Sequence, residues 1–519
     1  MAEAVNAGPD PLIPFFHFRT TAPPRVDFGL PPCGGPFRSC GGAARMEARM
    51  PYSSWTFCVQ TFGCKVNQYE SQSLREAWLT MNGTETDDPA VADVVLLNTC
   101  AVTANAVADA RQAVHRLSRE APEARIIITG CAAEAAGEEL VALPGVVAVA
   151  GQAGKALLLE QPPLTQLERL KVSPMLELFP AQRKQRSRTQ TDSSVSSKRV
   201  YPPFAISGFR RARPVLKVQD GCSHGCTYCI VPLTRGPARS RSPRECLEEL
   251  RRLLDAGYRE IMISGINLRQ YAVREGDVRD FWDLIAWLDR ELAPDWSGAE
   301  RSDPARLRIS SVDPAQLTPR AVDCLASSRL VCPQLHVSLQ SGSPAVLSAM
   351  RRGHYAPEGL IEAIRAVSGI WPRFGLGADI LMGFPGETET HVQETLEVVR
   401  ELPLTYAHVF PFSARPGTVA AGLPDQVGKA ERQSRAARVR TLVETKRRAF
   451  WEASLREKNL LIALDSNDDA ENVRGQHGVD ACYVPCRLSV PLRGAGHTLV
   501  PVRPLRVERG GLIVEPILL

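Results

Sequence analysis

The sequence contains no uninterrupted apolar run of about 18 residues, so a membrane-spanning helix is excluded. It does not open with a basic stretch and an apolar core, so no secretory leader is expected. Cysteine is too sparse for a disulfide scaffold, at 14 in 519 residues. These absences point to the reducing cytoplasm, where clustered cysteines serve metal or redox chemistry. A large charge excess is missing too. With 62 Lys and Arg against 57 Asp and Glu, the net charge is only +5, so a nucleic-acid partner can be argued only from where the charge sits. What is present is enough apolar sequence (44%) for buried cores and a length that suggests about three domains.

The chain divides by composition. Residues 1–50, rich in Pro, Gly and Ala, read as a disordered tail or a non-native extension, with Met46 and Met50 as alternative starts. Residues 51–158 alternate strand-like runs (56–61, 93–97, 125–129, 146–150) with helical stretches (67–81, 103–119), the pattern of a parallel sheet covered by helices. Residues 159–213 read as a flexible linker; from 181 to 217 there are ten Lys and Arg against one Asp, a local charge of +9. Residues 214–425 alternate again, with strands expected at 215–219, 260–264, 307–310, 335–339, 377–382 and 407–412. Six such units suit a barrel or part of one, with its chemistry in loops after the strand ends. Residues 426–458 predict a helix whose stretch from 429 carries ten basic and four acidic residues. The last segment, 459–519, has short Val- and Leu-rich runs broken by Gly and Pro, as in a small β-barrel or sandwich. Its six basic and seven acidic residues leave it near neutral.

The strongest local signal is Cys222-Ser-His-Gly-Cys226-Thr-Tyr-Cys229, placed directly after a strand. Three thiolates on one short loop can ligate three irons of a cubane cluster and leave the fourth open to a small molecule. A structural zinc would want a fourth ligand, for which His224 is the one local rival. A weaker signal is Cys64, Cys100 and Cys131, each just after an expected strand. Strand ends of a parallel sheet lie along one edge, so three such cysteines converge if the strands pair. A glycine before Cys64 and Cys131 would let the backbone approach a cluster. The plainer alternative is three buried free cysteines. Cys482 and Cys486 form a pair with no partner pair.

These motifs resemble those of the radical S-adenosylmethionine (SAM) enzymes. "CSHGCTYC" is similar to their cluster loop. "IVPLTRGPARSRSP", "SGINLRQY", "RLRISSVDP", "LHVSLQSGSPAVLSAMRRGH", "DILMGFPGETE" and "HVFPFSARPGTVAA" resemble the methylthiotransferase branch. "GCKVNQYES", "LLNTCAVT" and "ITGC" resemble that branch's second-cluster domain. Lys65-Val66-Asn67-Gln68 is similar to the threonylcarbamoyladenosine-tRNA (MtaB) type. It differs from the Gln-Met-Asn of the isopentenyladenosine enzymes and the Pro-Lys-Asn of the ribosomal-protein enzymes. The resemblance spans about 55–450. It implies an N-terminal parallel α/β domain, a central partial (β/α)6-type radical SAM barrel and a small C-terminal β domain like the RNA-binding TRAM module, although the near-neutral charge here departs from that module.

By the same resemblance Cys222, Cys226 and Cys229 would hold a catalytic [4Fe-4S] cluster that binds and cleaves SAM. Cys64, Cys100 and Cys131 would hold a second cluster that delivers sulfur. Tyr228, Gly265, Asn267, Ser338, Gln340, Ser341 and Asp379 would line the SAM and substrate site. Arg235, Arg239 and Arg241, just past the cluster loop, are assigned to tRNA phosphates, and the basic linker and the helix over 429–458 are expected to carry further phosphate contacts. The implied partners are tRNA and an electron donor such as flavodoxin or ferredoxin, with no membrane and a monomeric chain. Two other readings stay open: methylthiolation of isopentenyladenosine or of a ribosomal-protein side chain, and a non-catalytic iron–sulfur protein that binds RNA.

Overall fold

The computed structural model describes residues 52–102, 104–152, 154–165, 201, 203–298, 303–465, 476–492 and 497–517. The expected N-terminal tail and the core of the expected linker, 166–200, lie outside the described residues.

The N-terminal unit contains β1 (Trp55–Thr61), α1 (Lys65–Thr80), β2 (Gly83–Glu85), β3 (Val94–Thr99), α2 (Ala104–Glu120), β4 (Arg125–Gly130), α3 (Cys131–Ala135), α4 (Gly137–Val141), β5 (Val146–Ala150) and α5 (Gly154–Glu160). The strands form one parallel sheet in the order β2-β1-β3-β4-β5. All six residues of β3 are buried, as befits an interior parallel strand covered on both faces. The strand not anticipated is β2: its Gly-Thr-Glu is too short and polar to read as one, and it forms because β1 offers it a pairing edge.

The central unit contains β6 (Val215–Asp220), α6 (Val231–Arg235), β7 (Arg239–Ser240), α7 (Pro243–Asp255), β8 (Glu260–Gly265), the hairpin β9 (Ala272–Glu275) and β10 (Val278–Asp280), and α8 (Phe281–Trp296). It continues through β11 (Arg306–Ile309), β12 (Ser311–Val312), α9 (Pro319–Ser327), β13 (Gln334–Gln340), α10 (Pro344–Ala349), α11 (Pro357–Ile370), β14 (Gly375–Met382), α12 (Glu389–Glu401) and β15 (Leu404–Pro411). β6, β8 and β11 are parallel neighbours, as are β12, β13, β14 and β15. Only Ser310 separates β11 from β12, so one broken strand joins both halves into six parallel positions in chain order. This is the partial (β/α)6 barrel that the alternation predicts.

Two expectations need correcting around this barrel. Residues 203–213 are not flexible linker. Phe204, Ile206 and Phe209 are buried, and the backbone is tied to α1 through Glu76 and to α7 through Glu249. The apolar alternation in Pro-Phe-Ala-Ile was outweighed in the sequence by the neighbouring Ser and Arg. The basic helix, α13 (Lys429–Ser454), packs along β15 and α12 and spends its cations there. Arg432, Arg440 and Lys446 donate to the carbonyls of Phe412, Val409 and Arg400. Arg435 pairs with Glu387 and Glu431, and Arg438 with Glu389. These groups fasten a helix to the barrel and are not a free phosphate-binding stripe.

The C-terminal unit is a closed barrel of β16 (Leu460–Leu464), β17 (His477–Val479), β18 (Pro485–Leu488), β20 (Gly511–Pro516) and β19 (Leu499–Glu508), the small β domain expected. Its surface arginines pair with its own acids: Arg487 and Arg506 with Glu508, Arg503 with Glu515. It is riveted to the central barrel by Arg306 and Arg308 of β11. Both hold the buried Glu260 and donate to its backbone at Leu461, Val479, Asp480 and Ala481. Truncation of Glu260 to Ala leaves two buried guanidinium groups short of their counter-ion, at a cost of about 3–5 kcal/mol. Limited proteolysis should then release the C-terminal barrel from the variant under conditions that leave the parent intact.

Candidate functional site

The loop after β6 gathers Cys222, Cys226 and Cys229, all partly buried and without disulfide partners. N–H donors point at their sulfurs. The His224 amide reaches Cys222 Sγ at 3.4 Å, Asn267 Nδ2 reaches the same sulfur at 3.6 Å, and Arg352 reaches Cys226 Sγ at 3.8 Å. Arg352 is itself held by Asp313 and the carbonyl of Ser338. Burial pushes the Cys229 thiol up to about 12, with the neighbouring thiols adding to it. Such groups stay protonated alone and become thiolates on binding a metal. His224 does not complete a ligand set with them: its ring lies 4.8 Å from that of His354, tilted by 50°, and the groups acting on it are His354, Asp313, Arg269 and Arg352.

The second triplet does converge. Cys64 caps α1, Cys100 follows β3, and Cys131 opens α3 after β4. Burial, then the charges of Cys64 and Cys131, push the Cys100 thiol up to about 12. The preceding glycines are necessary. Gly63 (φ +92) carries no Cβ where one would sit 2.4 Å from that of Cys100. Gly130 (φ +97) avoids a 2.2 Å clash with the Thr99 carbonyl, so only glycine lets these strand ends close together.

A buried charge knot docks the second triplet against the first. Glu70 of α1 is fully buried and meets Lys155 of α5, Lys217 of β6 (2.7 Å) and Arg235 of α6 (2.8 Å). Lys217 and Arg235 also hold Asp220, at 2.7 and 3.0 Å. Burial alone would raise both carboxyls. Arg235, Lys155 and Lys217 instead hold Glu70 well below the usual range, and Lys217 and Arg235 bring Asp220 to about 2. Arg235 also donates to Asn67 (2.7 Å) and lies in the field of Cys131 and Cys64. This overturns part of the phosphate assignment. Arg235 is 2% exposed and Arg241 4%, the latter bound to Glu249 (3.0 Å) and Tyr69, so neither can meet a phosphate. Arg239 is half-buried beside them.

The loop after β15 closes the junction from the other side. Its Ala420 amide donates to the carbonyl of Thr227 within the cluster loop (2.8 Å). Its Arg415 is buried, with no partner for Nε, in the field of Cys100.

The remaining candidates separate. Tyr228 packs against Val346, Met350, Phe384, Phe412 and Ala420 beside the cluster loop. Asn267 lies at Cys222, and Gly265 ends β8 against Gln219. Ser338 is tied to Arg352, and Gln340, at φ +63, ends β13 in a strained conformation. Ser341 is 1% exposed and bonded to Thr395 and the Ser343 amide, so it builds the loop and is closed to ligands. Asp379 sits inside β14, below the strand end, and bonds His336 Nε2 (3.1 Å). His336 Nδ1 in turn meets the Tyr406 hydroxyl, which accepts from Gln334. With His408 these groups line a polar barrel interior. The signal for them was present as polar residues at alternate positions of otherwise apolar strands, as in Gln334-Leu-His336-Val-Ser338. Lys155 and Glu70 had no such signal, being ordinary surface-type residues on helices.

A partial barrel with a three-cysteine loop after its first strand, docked to a second unit with three convergent cysteines, defines a radical SAM enzyme with a second cluster-type site. The comparisons agree. Residues 216–399 match the Radical SAM superfamily, and residues 56–151 match Uncharacterized protein family UPF0004. The threonylcarbamoyladenosine tRNA methylthiotransferase MtaB of Bacillus subtilis (strain 168) is 33% identical over 74% of this chain and 79% of its own length. That of Chlamydia pneumoniae is 32% identical over 89% and 98%. The tRNA-2-methylthio-N(6)-dimethylallyladenosine synthase of Agrobacterium fabrum is 32% identical over 81% and 89%. The radical SAM methyltransferase TsrM of Kitasatospora setae shares the fold over 71% of this chain, with a TM-score of 0.51 at 16% identity. The chain belongs to the radical SAM methylthiotransferase family, in its MtaB-type branch. The family works with SAM and [4Fe-4S] clusters, and both thiol triplets, with N–H donors and buried cations around their sulfurs, have the donor set such clusters take.

The two triplets should be separable. In anaerobically reconstituted protein, Cys226→Ala and Cys100→Ala are each expected to lower iron from about eight to about four per chain. The first should abolish reductive SAM cleavage, and the second should retain it without sulfur transfer, as read by iron assay and 5′-deoxyadenosine release.

Proposed function

We propose that this enzyme methylthiolates C2 of N6-threonylcarbamoyladenosine at position 37 of tRNA, next to the anticodon, giving 2-methylthio-N6-threonylcarbamoyladenosine. The observation that carries this reading is the barrel interior. Asp379, His336, His408, Tyr406 and Tyr483 face it, with Lys65, Arg213 and Arg308 near the Tyr483 ring. A side chain bearing a carboxylate, a hydroxyl and urea N–H groups suits such a lining. An isopentenyl group would offer this lining no polar partner of its own.

When bound, the cluster and SAM supply the radical that removes hydrogen from an unactivated carbon, which acid–base groups cannot do. The chain's part is to hold and orient. Cys222, Cys226 and Cys229 fix the cluster loop, Tyr228, Gly265, Asn267, Ser338 and Gln340 bound the SAM side, and Cys64, Cys100 and Cys131 present the sulfur side. The adenine must leave its stack to enter the barrel mouth. Arg239 would meet tRNA phosphates. A one-electron donor such as flavodoxin or ferredoxin would serve the cluster, in the cytoplasm. No helix among the described residues is long and apolar enough to cross a membrane.

Nucleoside mass spectrometry of bulk tRNA tests the reading. Deletion of the gene should remove 2-methylthio-N6-threonylcarbamoyladenosine and leave its unthiolated precursor. Unchanged levels of the methylthiolated nucleoside would refute it.

A further inference from the structure

Lys65 immediately follows Cys64, yet its side chain turns away from the N-terminal sheet into the central barrel. Its ammonium stands 5.8 Å from the ring centre of Tyr483 and acts on Asp379. Among the described residues it forms no ion pair, and it is exposed, so its charge is unspent. Tyr483 arrives from the opposite direction, on the turn between β17 and β18 that plugs the floor of the barrel. There the Cys482 carbonyl lies so close to Gly375 that a Cβ at 375 would sit 2.0 Å from it.

Tyr483 is held in a costly way. Its φ is +68, a left-handed conformation strained for a bulky residue, which persists only where the surroundings impose it. The turn is pinned by Asp480, whose carbonyl accepts from the Tyr483 amide (3.1 Å) and whose carboxylate accepts from that of Val484 (2.7 Å). Asp480 is in turn clamped by Arg373. The result aims a phenol at the interior beside Tyr406 (5.3 Å), under the guanidinium groups of Arg308 (5.2 Å) and Arg213 (5.9 Å). Arg308 is consumed by Glu260 and backbone carbonyls, and Arg213 faces Asp465 at 3.6 Å. Lys65 alone of the three brings an uncommitted charge. Its field is the chief reason the Tyr483 hydroxyl is more acidic than usual, against the effect of burial. Of the carboxylates that act here, Asp379 is already partnered by His336, and Glu260 by Arg306 and Arg308. A cation and an acidic hydroxyl donor without an anion between them form an anion subsite in the barrel wall.

We propose that Lys65 and Tyr483 take the carboxylate of the substrate's N6 side chain, so that selection among modified adenines is made by the N-terminal unit and the C-terminal barrel acting across the interior of the central one. This rests on the threonylcarbamoyladenosine reading. The ammonium and the phenolic O–H donate to the two carboxylate oxygens. An uncharged N6 group would bury Lys65 without compensation, the kind of mismatch that discriminates by orders of magnitude.

The test uses the full-length, anaerobically reconstituted enzyme and anticodon stem-loop RNAs carrying N6-threonylcarbamoyladenosine, its methyl ester, or isopentenyladenosine. The parent should prefer the free acid over the ester by about 100-fold in kcat/KM. Lys65→Gln should lose that preference, chiefly through a raised KM for the acid, while keeping the iron content of the parent. Lys65→Arg should keep it. Tyr483→Phe, which belongs to neither cysteine triplet, should lower the acid-to-ester ratio about tenfold. An unaltered ratio in Lys65→Gln overturns the subsite while the proposed function stands. If Lys65→Gln loses iron, the ratio in Tyr483→Phe decides, and an unaltered value there overturns the subsite equally. A parent that ignores the acid but thiolates the isopentenyladenosine RNA overturns the functional reading itself.

Discussion

A carboxylate sealed from water holds the two halves of this site in register. Glu70 belongs to the helix that Cys64 caps, and it is gripped by cations from its own unit and from the central barrel. A buried ion costs several kcal/mol to desolvate, which only a full set of partners offsets. The arrangement therefore tolerates one relative placement of the units and penalises others. Three cations serve two carboxylates in this knot, and the surplus charge on Arg235 is directed at Cys131 and Cys64. The same contact thus fixes geometry and supplies a counter-charge where a thiolate-bound cluster would carry negative charge.

The interior of the central barrel is a composite. Its six strands supply the polar lining, but Lys65 enters from the N-terminal unit and Tyr483 from the C-terminal barrel. Arg306 and Arg308 make that second docking as specific as the first, because each satisfies Glu260 and a set of C-terminal carbonyls at once. The C-terminal barrel, whose near-neutral charge sets it apart from a basic RNA-binding module, has a clear structural duty as the floor of this cavity.

Much of the basic sequence is spent inside the molecule. Arg235 and Arg241 sit in buried ion pairs, and the cations of α13 tie that helix to β15 and α12. A run of Arg and Lys shows how much positive charge a segment has, but not whether a carboxylate or a carbonyl on another element has already taken it. This is why the arginines past the cluster loop read as phosphate ligands and turned out to be internal struts. Ser341 was misplaced for a related reason. A motif marks the end of a strand, and the pleat and the following loop then decide whether a given side chain faces the mouth, the interior or the packed exterior.

Local order along the chain was enough to establish the α/β class, the strand positions of the central barrel and the two cysteine triplets, since strand ends, loop glycines and thiol spacing are matters of near neighbours. Convergence of Cys64 with Cys100 and Cys131 followed from the parallel order of β1, β3 and β4. The partners of Glu70, the floor at Tyr483 and the turn of Lys65 into the barrel had to await the folded chain. Each joins residues more than seventy positions apart, and the energy of a buried charge depends on every group that surrounds it, which no stretch of sequence carries on its own.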